Sequence, residues 1–310
     1  MMSDIVLRTK NVTKKYGNFK ALDNVSISIE QGRIYGLIGQ NGAGKTTLMR
    51  AVAGLTFPTS GEIELFKTSS QNGLEDRRKL MGTMIEDPAI IGHLSAEDNL
   101  KAQCLLKGVK DKAIIDEVLE LVGLHHTGKK KAKDFSLGMK QRLGIAITLL
   151  NNPKILMLDE PINGLDPKSV VEIRNLLKDL CHNRGITILL SSHNLSELFQ
   201  TVTDFIIINH GHVIKTISRD ELERHIYKRL VIDSNDNSKV IEVLNNELQT
   251  KKYSVQDNNV IHLYDYINDK ERVSKALIDH DVIVTTFMTK EDTLEEYYLK
   301  LIHGERGLDE

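Results

Sequence analysis

Gly39-Gln40-Asn41-Gly42-Ala43-Gly44-Lys45-Thr46-Thr47 fits the spacing G-x-x-x-x-G-K-[ST], a loop whose backbone amides wrap nucleotide phosphates. The chemistry explains the residue types. Glycines let the backbone close around a phosphate with no Cβ in the way. Successive amides and the positive end of the following helix then face the anion, Lys45 reaches the β- and γ-phosphates, and the Thr46 hydroxyl can ligate Mg²⁺. The pattern predicts a nucleoside triphosphatase. A glycine-rich turn with a surface lysine is the alternative, and the flanking pattern of strand before and helix after disfavours it.

A second group of residues lies more than a hundred positions on. Apolar Ile155-Leu156-Met157-Leu158 ends in Asp159-Glu160, which puts two carboxylates at the C-terminal edge of a core strand, where open α/β sheets hold their ligands. Asp159 is expected behind Mg²⁺, directly or through water, and Glu160 as the general base that polarises the attacking water. Two solvated acids at a strand end are the alternative, a minority reading for an isolated strand and a weaker one still beside the phosphate loop. Further on, Ser191-Ser192-His193 closes another core strand; alone, a histidine there is more often structural than functional.

The elements that position these groups are legible. Arg33 to Ile38 reads as a buried strand and Lys45 to Leu55 as a helix, with β-rich sequence around them at Ile5 to Leu7, at Val25, Ile27 and Ile29, and at Glu62 to Phe66. Gly32 and Pro58-Thr59-Ser60-Gly61 punctuate that stretch. Ser95-Ala96-Glu97-Asp98 matches a capping box and opens a helical block, continued by Lys112 to Val122. After the acidic strand come a helix carrying Val170, Ile173, Leu177 and Leu180, a strand Ile186 to Leu190, and a hairpin around His210-Gly211. Alternation of this kind predicts a mainly parallel α/β core. Beyond about residue 216 the order becomes β-α-β-β-α-β: Leu230 to Ile232, Lys239 to Leu248, Tyr253 to Val255, Val260 to Tyr264, Lys270 to Ile278 and Val282 to Phe287. That order fits a small ferredoxin-like unit. A last helix carries Leu294, Tyr297, Tyr298, Leu301 and Ile302 on one stripe. The expected division is 1–215, with a helical subdomain at about 87–150, and 216–310.

Bulk properties narrow the class. A chain of 310 residues with 40% hydrophobic content accommodates two cores, and a formal charge of -2 argues against general nucleic-acid binding. Cys104 and Cys181 lie far apart in sequence and fit no metal-ligand spacing, so a reducing compartment is expected. No apolar run approaches the roughly 18 residues of a spanning helix and no signal-peptide pattern is present, so work at a membrane would pass through a partner.

Between the phosphate loop and the acidic strand stands Phe135-Ser136-Leu137-Gly138-Met139-Lys140-Gln141-Arg142. With it the sequence resembles the ATP-binding subunits of ABC transporters, whose signature is commonly written LSGGQ. Phe135, Leu137 and Met139 depart from that spelling, while Ser136 and Gly138 are kept. The SLGMKQR spelling is similar to the bacitracin and lantibiotic resistance branch. A serine-capped amphipathic helix with no ligand is the minor alternative for the segment. The resemblance implies that Ser136 and Gly138 cradle the γ-phosphate from the opposite subunit and that Tyr16 stacks on adenine, although a strand tyrosine alone is more often packing. It further implies that Asp166, in Asn163-Gly164-Leu165-Asp166-Pro167, lies in the loop touching the opposite subunit and that His193 contacts the γ-phosphate. Where most relatives carry glutamine, Met84-Ile85-Glu86-Asp87-Pro88 has glutamate, as the antibiotic-export branch often does; Glu86 is the expected third metal residue beside Thr46 and Asp159.

The resemblance covers residues 1 to about 215, with six motifs in family order. It implies ATP and Mg²⁺ as cofactors, a homodimer with two interfacial ATP sites, a separate integral-membrane permease, and a peripheral location on the inner face of the cell membrane. A soluble ABC ATPase acting on ribosomes or DNA is the rival; Lys129, Lys130, Lys131 and Lys133 are its support, and a solvated loop explains them too. A kinase or GTPase built on the same loop leaves the signature and His193 unexplained.

Overall fold

The computed structural model describes residues 4–225, 228–256, 259–291 and 294–303. The chain divides into two compact units between Arg219 and Asp220.

The first unit begins with two long strands, β1 (Ile5–Tyr16) and β2 (Phe19–Glu30), joined by a tight hairpin. β3 (Ile34–Ile38) and α1 (Lys45–Ala53) flank the phosphate loop, and β4 (Ser60–Leu65) follows. Ser60 and Gly61, expected in a turn, therefore open a strand instead. α2 (Gln71–Arg78) and β5 (Met81–Met84) lead to the helical block, α3 (Ala96–Lys107), α4 (Ala113–Leu121) and α5 (Leu137–Leu149). β6 (Ile155–Leu158), α6 (Pro167–His182), β7 (Thr187–Ser192), α7 (Leu195–Phe199), β8 (Asp204–Asn209) and β9 (His212–Ser218) complete it.

These strands form two sheets. One is antiparallel, ordered β2-β1-β4; the other is ordered β5-β6-β7-β3-β8-β9 and is parallel except for the β8–β9 hairpin. β3, β6 and β7 are buried at every position, as strands covered on both faces must be. α1 is sandwiched between the sheets: Leu48, Met49, Ala51 and Val52 share one core with Leu7, Leu22, Ile29 and Leu65 of the antiparallel sheet and with Leu37, Met157, Leu189 and Ile206 of the parallel one. The helix that starts at the phosphate loop is thus clamped on two sides.

α8 (Arg219–His225) starts at the division, and the second unit then contains β10 (Lys228–Ser234), α9 (Asn237–Asn246), β11 (Tyr253–Val255), β12 (Ile261–Leu263), α10 (Lys270–Asp279) and β13 (Val284–Glu291); α11 (Leu294–His303) ends the described chain. The sheet is antiparallel in the order β11-β12-β10-β13. Two βαβ halves interleaved in this way make a ferredoxin-like unit. Its own core joins Leu230, Ile232, Ile261 and Leu263 to Val240, Leu244, Val273 and Leu277 of the two helices.

Candidate nucleotide-binding site

β3 delivers the chain to the phosphate loop at the centre of the parallel sheet, between β7 and β8. Two glycines there have no substitute. Gly44 has φ +110°, and a Cβ would lie 2.7 Å from the Ala21 carbonyl; a Cβ on Gly39 would meet the Ile208 carbonyl and lie 2.8 Å from Ala43 Cβ. The Lys45 side chain is buried and folds back into the loop, donating to the carbonyls of Gly39 at 2.7 Å and Gln40 at 3.4 Å. Its Nζ is also 3.4 Å from Glu160 Oε1. A buried ammonium above a ring of amides at a helix N-terminus is a fit for phosphate. The cleft of about 310 Å³ over the loop is lined by Gln40, Asn41, Gly42, Ala43, Gly44, Lys45, Thr46, Thr47 and Glu160, together with Tyr16, Phe19 and Ala21.

Strand register brings the acids alongside. β6 pairs with β7 so that Leu158 is opposite Leu190, which sets Asp159 beside Ser191 one residue on. Ser191 Oγ donates to Asp159 Oδ1 and accepts from the Glu160 amide at 2.9 Å, locking both acids with one hydroxyl. Thr46 Oγ1 donates to Asp159 Oδ2 at 2.8 Å, joining α1 to β6. A hydroxyl and a carboxylate in contact are hard oxygen donors, and with phosphate and water they match how Mg²⁺ is usually held. Among the described residues no group of three or more His, Cys, Asp or Glu forms a protein cage, so the rest of such a shell would come from the nucleotide and solvent.

Glu160 leaves β6 with φ +47°, a left-handed conformation uncommon for a side-chain-bearing residue and frequent at functional sites. Its Oε2 is 2.9 Å from His193 Nδ1. The carboxylate therefore bridges His193, at the end of β7, and Lys45, in the phosphate loop.

Glu86 also has a left-handed backbone, φ +66°, two residues beyond β5. Its carboxylate pairs with the Arg50 guanidinium, one helical turn along α1 from Thr46, and the side chain is 61% exposed. Glu86 is thus near the metal-side helix but is tied to Arg50 rather than to Thr46 or Asp159.

Tyr16 and Phe19 are cross-strand partners at the tip of the β1–β2 hairpin, 48% and 63% exposed, and both face the cleft. Lys14 Nζ lies 5.0 Å from the Tyr16 ring centre. Rings this exposed contribute little to the core and offer a stacking surface to a flat base. Phe19 was not anticipated from the sequence; its place opposite Tyr16 depends on the hairpin.

Ser136, Gly138 and Asp166 are not part of that cleft. Ser136 is the N-cap of α5, its Oγ accepting from the Met139 amide at 3.3 Å, and stays exposed. Asp166 caps α6, accepting from Ser169 N at 3.0 Å and from Ser169 Oγ at 2.6 Å. Those bonds, the hydroxyl's first, hold the Asp166 carboxyl below the ordinary carboxylate range. Cys104 and Cys181 are buried free thiols, pushed up from the usual range by burial and correspondingly unreactive.

The ABC transporter family pattern matches residues 22–163. Bacitracin transport ATP-binding protein BcrA of Bacillus licheniformis is 40% identical over 299 residues, spanning 96% of this chain and 98% of that protein. Lantibiotic transport ATP-binding protein SrtF of Streptococcus pyogenes is 45% identical over 210 residues, 67% of this chain and 89% of that one. Among solved structures, a dimeric ATP-binding cassette in a post-hydrolysis state with ADP and Pi superposes with a TM-score of 0.62 at 27% identity, over 69% of this chain and 98% of that chain. The cbiO1 subunit of a Clostridium perfringens ABC transporter complex does so with a TM-score of 0.65 at 25% identity, over 79% and 97%. Likeness along almost the entire length, on top of a phosphate loop wired to an acidic strand in this way, means that the chain belongs to the ABC transporter ATP-binding proteins and is an ATPase of that type.

Proposed function

We propose that this ATPase works as a homodimer, sandwiching two ATP molecules, and that dimer closure drives a separate integral-membrane permease that exports peptide antibiotics. One observation carries the dimer: the groups for binding and hydrolysis converge on one cleft, whereas Ser136, Gly138 and Asp166 stand outside it, exposed or at helix N-termini. A second copy brings its own Ser136 and Gly138 to complete the site. Mg²⁺, held by Thr46 and Asp159 with Glu86 as a further candidate, would neutralise phosphate charge. Lys45 grips the phosphates, Glu160 accepts the proton of the attacking water, and His193 orients Glu160 through their contact. The peptide cargo rests on the names of the relatives, bacitracin and lantibiotic transport proteins.

Among the described residues no helix is long and apolar enough to cross a membrane, which agrees with a subunit that is peripheral on the inner membrane face through its permease. The region 87–150 is the proposed docking subdomain and 216–310 an accessory domain. Copurification from detergent-solubilised membranes tests the assignment. A stoichiometric integral-membrane partner is expected; capture of ribosomes instead would transfer the function to the soluble class. Unchanged sensitivity to bacitracin and lantibiotics in a strain lacking the gene would remove the cargo while leaving the ATPase.

A further inference from the structure

The signature segment and the loop after the acidic strand lie against each other, and one side chain joins them. A Cβ built on Gly138 would sit 2.7 Å from Ser169 Cβ and closer still to Ser169 Oγ, so the serine occupies the space a side chain at 138 would need. The same Ser169 donates its hydroxyl to Asp166 Oδ2 at 2.6 Å and its amide to Asp166 Oδ1 at 3.0 Å. Two residues before Asp166, a Cβ on Gly164 would be in ordinary contact, 3.5 Å, with Leu137 Cδ2. The start of α5 and the start of α6 are therefore fitted to one another, with Ser169 as the peg.

We propose that Ser169 is a positioning residue that fixes Ser136-Leu137-Gly138 and Asn163-Gly164-Leu165-Asp166 as one rigid surface, so that both are presented together to the nucleotide site of a second copy of this chain. The inference rests on the dimeric reading above. Among the described residues Ser169 has no hydrogen bond to the phosphate loop or to Glu160 and does not line the cleft, so it acts on the partner's site and leaves its own subunit's site alone. Its hydroxyl sets the Asp166 carboxylate, and its compact Cβ sets how closely α5 approaches. A larger side chain pushes the two segments apart; alanine keeps the packing and loses the hydroxyl.

The asymmetry between own site and partner's site gives the test. In the first heterodimer, one subunit carries Ser169→Leu and the other Lys45→Ala; the only working phosphate loop belongs to the Ser169 variant and is completed by an unaltered signature. In the second, both substitutions are on one subunit and the other is wild type, so the working loop faces the altered surface. Hydrolysis in the first should match a wild-type and Lys45→Ala pair, and in the second should fall by about tenfold or more, as expected when positioning rather than chemistry is lost. Ser169→Ala, which threatens folding least, should show the same one-sidedness at about fivefold. In addition, each Ser169 variant on its own should bind a fluorescent ATP analogue as a monomer with wild-type affinity, while its ATP-dependent homodimerisation on size exclusion weakens.

Equal losses in both heterodimers, or no loss in either with Ser169→Ala, would overturn the proposal, because a general packing role cannot distinguish the two sites. The wild-type and Lys45→Ala control separates the layers. If it shows no competent site at all, the sandwich has failed, and Ser169 with it; if it shows one and the asymmetry is missing, Ser169 alone has been misassigned.

Discussion

Glu160 is held between two groups that can be cationic, His193 Nδ1 at 2.9 Å and Lys45 Nζ at 3.4 Å, and its backbone is wedged into a left-handed turn by Ser191. Those two contacts hold the carboxylate at the edge of the phosphate cleft. Replacing it by glutamine keeps the shape and the hydrogen-bond positions but removes the base. Glu160→Gln should therefore bind ATP normally while steady-state hydrolysis falls about a hundredfold or more. Filter binding and a phosphate-release assay check the two halves; wild-type turnover would show that the base lies elsewhere. Glu86 poses a different question, since it is already paired with Arg50. If it joins the metal shell when nucleotide binds, Glu86→Gln should raise the Mg²⁺ concentration for half-maximal hydrolysis, a neutral oxygen being the weaker ligand for a hard cation. Superimposable Mg²⁺ titrations would leave Glu86 as the partner of Arg50 and nothing more. Lys45, Thr46, Asp159 and Glu160 were readable because their meaning lies in local spacing or in one strand end. Ser191, Phe19 and Arg50 were not, because each matters only through a residue on another element: Asp159, Tyr16 and Glu86 respectively.

Helix starts do much of the positioning. α3, α5 and α6 each begin with a side-chain cap, Ser95, Ser136 and Asp166. The capping box at Ser95 was visible in sequence because both of its members are local; Ser95 Oγ accepts from the Asp98 amide at 3.1 Å and donates to the Asp98 carboxylate at 2.7 Å. Asp98 and Asp166 both titrate below the ordinary aspartate value of 3.8, each chiefly because a serine hydroxyl donates to the carboxylate. Depressed values in the folded state mean stabilisation that is complete above that unfolded value and is lost as pH falls through the lower folded ones. Thermal midpoints followed downward from neutral pH should hold until about pH 4 and then drop, and Asp166→Asn, which still caps but does not titrate, should drop less steeply. Equal slopes would remove Asp166 from the acid transition. Ser136→Arg tests the proposed partner role of α5: it should abolish hydrolysis with monomer ATP binding intact, since the phosphate loop is untouched. Element types were legible from periodicity, but neighbours were not. Nothing local announces that β7 separates β6 from β3, or that β1 recruits β2 and β4 into a separate antiparallel sheet. α2 escaped notice for a simple reason: among its described residues none is buried, so it has no apolar stripe to betray it.

The chain carries two separate hydrophobic cores. The hydrophobic cluster that clamps α1 draws only on residues up to 208, apart from Val213 at its margin, while the cluster under the last sheet starts at Leu230 and shares no residue with it. β9 finishes the first unit's sheet, pairing Ser218 with Asp204, and the division falls at Arg219 and Asp220. Every residue that lines the phosphate cleft, and every acid and base argued for hydrolysis, ends by His193. A chain cut after Arg219 should consequently fold and bind ATP, because a unit with its own core and all its strands paired does not depend on a second core for its stability. What the cut removes is a ferredoxin-like unit and a terminal helix with no nucleotide group among them, so the deficit should fall on permease association or on the lifetime of the ATP-bound dimer. Circular dichroism with a fluorescent nucleotide titration decides the first point, and analytical ultracentrifugation with ATP the second. A truncated protein that is folded yet blind to ATP would place part of the nucleotide site beyond Arg219, where nothing in the residue types or their spacing points to phosphate chemistry.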